Sequence, residues 1–99
     1  MAIGPQIVPV IPATSQSHLN ITAPTIVKAS PGVVGTITVV AAGSGNGAVC
    51  DCATTGAAGN ANLVAIAPQV QGTQVINFPC RVAICVIPGT GQTLAVSFA

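Results

Sequence analysis

Charge is almost missing from this sequence. Of its 99 residues, 3% are charged, where an ordinary soluble domain carries about 25%. The charged set is Lys28, Asp51 and Arg81; glutamate is absent and His18 is the single histidine. General acid–base catalysis needs positioned titratable groups, so this scarcity argues against an enzyme. Two cations cannot neutralise a phosphate backbone, which excludes a nucleic-acid binder. A lone Asp argues against a carboxylate-bound Ca2+ or Mg2+ site. Long hydrophobic runs are missing too. The longest, Val33 to Ala42, is interrupted by Gly35, Thr36 and Thr38, and a membrane-spanning helix needs about 20 apolar residues. No secretory signal is expected, because the first residues lack a basic stretch and Pro5, Pro9 and Pro12 break their apolar run.

What is present points to strands. Val, Ile and Thr supply 34 of the 99 residues, and these β-branched types fit a pleated surface better than a helix. Proline, glycine and serine punctuate the chain at short intervals. Alternation in some segments, apolar β-branched runs in others and the turn residues that bound them predict strands at His18–Ala23, Thr25–Ala29, Val33–Ala41, Ala48–Ala53, Leu63–Ala67, Thr73–Phe78, Arg81–Ile87 and Thr93–Phe98. The apolar character of Val33–Ala41 predicts cover on both its faces. Gly43–Gly47 reads as a hairpin connection, Pro88–Gly91 as a tight turn. The fold class is therefore all-β: an antiparallel β-sandwich or jelly roll of seven or eight strands, with an extended N-terminal arm.

That arm spans residues 1–16, and the sandwich spans 17–99. Three prolines favour an extended path, yet Ile3, Ile7, Val8, Val10 and Ile11 are too apolar for a solvated linker. The arm is either a tail or first edge strand, or a segment that lies in a groove on a neighbouring subunit.

From Ile21 onward the chain resembles a family of small virion structural proteins of tailed bacteriophages. The stretches that carry the resemblance are Ile21-Thr22-Ala23, Thr25 to Gly32, Gly47-Ala48-Val49-Cys50-Asp51-Cys52-Ala53-Thr54-Thr55, Phe78-Pro79-Cys80, and Val86 to Ser97. The Pro88-Gly89-Thr90-Gly91-Gln92-Thr93 stretch is the most specific. Cys50 departs from the pattern, which has a larger side chain there. The resemblance implies a β-sandwich on the virion, as a capsid cement or decoration protein or as a fibre or tail accessory domain. It carries over no catalytic residues.

The residues able to do chemistry have bland readings beside the sharp ones. Cys50, Cys52, Cys80 and Cys85 could be free, buried thiols acting as small hydrophobes. They could form a disulfide across strands, between Cys50 or Cys52 and Cys80 or Cys85. They could form a four-cysteine zinc site, although C-x-C and C-x4-C depart from the usual knuckle spacing. Asp51 is a candidate salt-bridge partner of Lys28 or Arg81, or else a solvated or turn-capping carboxylate. His18, Asp51 and a serine do not make a triad, for want of any nucleophile elbow. Phe78 and Phe98 occupy strand-core positions.

A surface this poor in charge calls for partners or for wetting by Thr, Ser, Asn and Gln. The expected function is structural: a cement or decoration protein that stabilises a phage head through uncharged apolar and Thr-rich surfaces. The expected partners are the major capsid protein and further copies of the chain, as a trimer in preference to a dimer. No nucleic acid, membrane, metal or cofactor is expected. The site would be the virion surface, after synthesis in the host cytoplasm. The competing expectation is a receptor- or glycan-binding domain of a fibre or tail accessory protein.

Overall fold

The β-branched segments form eight strands, described for residues 16–99 in a computed structural model. They are β1 (Gln16–Ile21), β2 (Thr25–Lys28), β3 (Gly32–Ala41), β4 (Gly47–Cys50), β5 (Leu63–Ala67), β6 (Gly72–Cys80), β7 (Ile84–Ile87) and β8 (Thr93–Phe98). Two 3-10 turns, Thr55–Ala57 and Asn60–Asn62, join β4 to β5. The arm assigned to residues 1–16 lies outside the described residues, apart from Gln16, which opens β1.

The strands divide into two four-stranded sheets, ordered β1-β8-β3-β6 and β2-β7-β4-β5, with antiparallel neighbours throughout. This is the jelly-roll order. β1 pairs with β8, β2 with β7, β3 with β6 and β4 with β5, as in one long hairpin rolled over itself. Successive strands along the first half therefore alternate between sheets. The Gly43–Gly47 segment is accordingly not a hairpin connection: it carries the chain from one sheet to the other. Its Ser44 amide donates to the Thr90 carbonyl at 2.9 Å, tying it to the matching β7–β8 crossing.

Alternation puts one face of each sheet inward. On the first sheet Val34, Ile37 and Val39 stand opposite Phe98, Val96 and Leu94. They meet Val49, Ile84, Val86 and Ala67 of the second sheet to form the main core. Each fully buried Val, Ile or Leu contributes about 1.5–3 kcal/mol relative to exposure. The register of β3 slips between Val34 and Thr36 against both neighbours, at Gly35. Asn77 in β6 takes up the same irregularity with a φ of 49°, a conformation that Asn tolerates better than most side chains.

The outer face of the first sheet is wetted without charge. Thr36 and Ser97 share a hydroxyl hydrogen bond of 2.6 Å, and Thr38 and Thr73 one of 2.9 Å. Val40 on this face is exposed, so the expectation that β3 is covered on both sides fails. The Thr residues that interrupt its apolar run are the ones that point to water. Phe78 also departs from expectation. Phe98 is buried, but Phe78 is 43% exposed, because it lies on an edge strand with little opposite it. Pro79 does not end β6, since an edge strand has no outer partner to lose.

Candidate functional site

Across β4, β5 and β7 the second sheet is apolar on both faces. Its inner face closes the main core. On its outer face Cys50 stands opposite Cys85 and Leu63, and Ala48 opposite Ile87 and Ile66. Ile26 of β2 extends the same row beside Cys85. The row follows from the sequence: β4 and β7 have no polar residue at either parity, so neither face can be given to water.

The segment between β4 and β5 folds over part of this row. Cys50, Cys52 and Cys85 form a small buried cluster, with Ala58 of the covering segment packed on it. Asn62 holds that segment in shape. Its side chain accepts from the Gly59 amide at 2.9 Å and donates to the Ala57 carbonyl at 2.9 Å, and its own carbonyl accepts from the Asp51 amide at 2.8 Å. Beyond the cover the row is open. Leu63 and Ile66 are exposed, and with Ala48, Ile87 and Ala58 they line a shallow depression of about 190 Å³. No Lys, Arg, Asp or Glu lines it.

The four thiols are free and buried. Cys50, Cys52 and Cys85 share the outer cluster, whereas Cys80 belongs to the main core. Burial foremost, then the neighbouring Cys52, pushes the Cys85 thiol up to about 12; burial and then Asp51 push Cys80 up to about 11. Burial likewise raises Cys50. Thiols held protonated in this way are poor nucleophiles. Among the described residues no three His, Cys, Asp or Glu side chains are disposed to hold a metal ion.

Asp51 is a structural carboxylate. One oxygen accepts from the Arg81 amide at 2.8 Å, and the other from the Val82 and Ala83 amides at 2.8 and 3.2 Å. The Arg81 amide above all holds its carboxyl below the ordinary value; burial, next in size, pushes it up, and the Val82 and Ala83 amides and the Arg81 charge bring it down again. Of the three charged residues picked out as a salt-bridge set, the structure brings Asp51 and Arg81 together, chiefly through backbone. Lys28 lies elsewhere, its side chain beside Gly32. His18 is exposed on β1.

Sequence reasoning missed Gln92. It is a fully buried polar side chain, accepting from the Gly89 amide at 3.0 Å and donating to the Ala67 and Pro68 carbonyls at 3.3 and 2.9 Å. Its place in the Pro-Gly-Thr-Gly-Gln-Thr stretch was the available signal. Among the described residues, no helix is long and apolar enough to cross a membrane. Comparison of the chain with protein-family models, curated proteins and solved structures returns no match.

Proposed function

We propose that this chain is a structural virion protein, a cement or decoration protein that binds and stabilises a phage head. The observation that carries the reading is the open apolar row on the outer face of the second sheet, centred on Ala48, Leu63, Ile66 and Ile87. A sheet in water keeps one face polar; apolar residues on both faces are supported when something covers the second face. The jelly-roll architecture, which recurs in viral capsid domains, supports the same reading by analogy of fold. So does the near absence of charge, which leaves copies free to crowd without repulsion. The partner would be the major capsid protein.

The test is to mix the purified protein with expanded shells of its source particle. The expected result is stoichiometric addition and a higher rupture temperature. A protein that ignores shells overturns the reading.

One feature favours a second reading, a glycan- or receptor-binding domain. The exposed Phe78 borders a hollow of about 280 Å³ with Asp51 and Asn62, the residue types that stack on and hydrogen-bond sugars. Asp51 and Asn62 are already engaged by backbone groups of their own chain, which weakens this alternative. Binding to host cells but not to shells would establish it.

A further inference from the structure

Among the described residues β6 is the longest edge strand, 9 residues from Gly72 to Cys80, and it pairs only with β3. Nearly every residue of it is exposed, Val75 and Phe78 among them. A long uncharged edge is a template for another strand, and folded proteins ordinarily blunt or cover such an edge. Beside the first half of β6 a groove runs along the edge of the core, whose own residues there are buried. Ile37 and Val39 floor this groove of about 200 Å³, whose far wall is Pro68 and Val70.

Residues 3–11, Ile-Gly-Pro-Gln-Ile-Val-Pro-Val-Ile, have the complementary pattern. In an extended chain, residues of one parity turn both N–H and C=O to the same side, and those of the other parity turn them away. Pro5 and Pro9 share the odd parity. The even residues Gly4, Gln6, Val8 and Val10 therefore keep a full set of donors for one partner strand. The prolines leave gaps only on the opposite edge, where a further strand would otherwise add. The odd side chains Ile3, Pro5, Ile7, Pro9 and Ile11 make one wholly apolar face, and the even face carries the polar Gln6.

We propose that residues 3–11 of one copy add as a strand to β6 of a second copy, with Ile3, Ile7 and Ile11 closing the groove over Ile37 and Val39. The occupant is a second copy because the chain's own segment is poorly placed. Gln16 opens β1 at the other edge of the sheet, with β8 and β3 between. From β1 to a strand added beyond β6 there are four strand spacings, about 19 Å, whereas the five steps from Ile11 to Gln16 reach at most about 18 Å. A strand antiparallel to β6 would also run parallel to β1 and end at the far end of the sheet from Gln16. A neighbour's segment meets no such limit. The proposal does not rest on the capsid reading; it concerns contacts between copies alone.

The test uses the full chain. Its mass in solution and the hydrogen exchange of the Gly72–Ile76 amides are followed with concentration. A synthetic peptide of residues 1–15 is then added in excess, unmodified, N-methylated at Val8, or N-methylated at Ile7. The expected result is an oligomer whose β6 amides lose protection as it dissociates on dilution. The plain and Ile7-methylated peptides should displace the neighbour equally, and the Val8-methylated peptide should be weaker by roughly tenfold, having lost one ladder donor. A monomer with unprotected β6 amides overturns the proposal. A monomer with protected ones overturns the second copy as occupant. An oligomer whose β6 amides stay unprotected, or equal loss with either methylated peptide, overturns the pairing.

Discussion

Gly47 lies directly beneath the carboxamide of Gln92. A Cβ on Gly47 would run into the Gln92 Oε1 and stand 2.9 Å from the Ile87 carbonyl. The two residues lock the place where three inter-sheet crossings meet, β3–β4, β5–β6 and β7–β8, because the same carboxamide also holds Gly89, Ala67 and Pro68.

Gly47→Ala is therefore expected to cost about 1–3 kcal/mol through overpacking. Gln92→Leu keeps the volume but takes the side-chain partner from the Gly89 amide and from the Ala67 and Pro68 carbonyls, and should cost about 3 kcal/mol. Urea denaturation of both variants checks these values. Wild-type midpoints would show that the crossing is not locked by this pair.

Asp51→Asn is expected to destabilise by about 2 kcal/mol, because its NH2 group cannot accept from the amides that the carboxylate now binds. Asp51 is also the only acidic side chain in the sequence, and its carboxyl titrates lower folded than unfolded. The folded state then binds fewer protons, so this stabilisation is present above the unfolded value of 3.8 and is lost as pH falls through the lowered one. Melting temperature against pH should drop on that limb in the wild type and stay nearly flat in Asp51→Asn.

The alkaline limb has the opposite sign. Cys80 and Cys85 titrate at about 11 and 12 folded, against 9.0 for an ordinary thiol. The folded state holds its protons longer, so their stabilisation is complete below 9.0 and is lost as pH rises towards those values. Stability should decline steadily above pH 9.0, and Cys85→Ala should soften the decline. A thiol reagent at neutral pH should label the native protein far more slowly than the unfolded chain.

Ile66→Lys places a charge on the exposed row beside Ala48. Stability should change by less than about 0.5 kcal/mol, as for other surface changes, while shell addition should be lost. Val39→Asp is the contrast: it buries an unpaired charge opposite Leu94 and should unfold the domain. Circular dichroism with shell sedimentation separates the two outcomes.

Local features were legible in the residues, and long-range ones were not. Leu63–Ala67 and Thr93–Phe98 are strands at their expected bounds, because Pro68 stops a short apolar run in the first and a turn precedes a clean alternation in the second. Ala48–Ala53 stops early, at Cys50, and Arg81–Ile87 begins late, at Ile84. Both shortfalls have one cause: Asp51 pulls the amides of Arg81, Val82 and Ala83 into a turn around its carboxylate. That contact joins residues 30 or more positions apart, and no local pattern encodes it. The apolar row was hidden for a similar reason. An uninterrupted apolar run does not say which face meets the core and which is left open.

The pairing of β1 with β8, β2 with β7, β3 with β6 and β4 with β5 also sets an order in time. Only β4 and β5 are near neighbours along the chain; each further pair encloses the one before, until Gln16 meets Phe98. Loop-closure entropy favours the short loops first, so the roll should close from its middle outwards, on the slow timescale of non-local β proteins. A ribosome delivers the first half of every outer pair long before its partner. Until the last strand emerges, β1, β2 and β3 wait with their apolar faces unmatched, and the sparse charge that suits the finished surface leaves little to keep such chains apart.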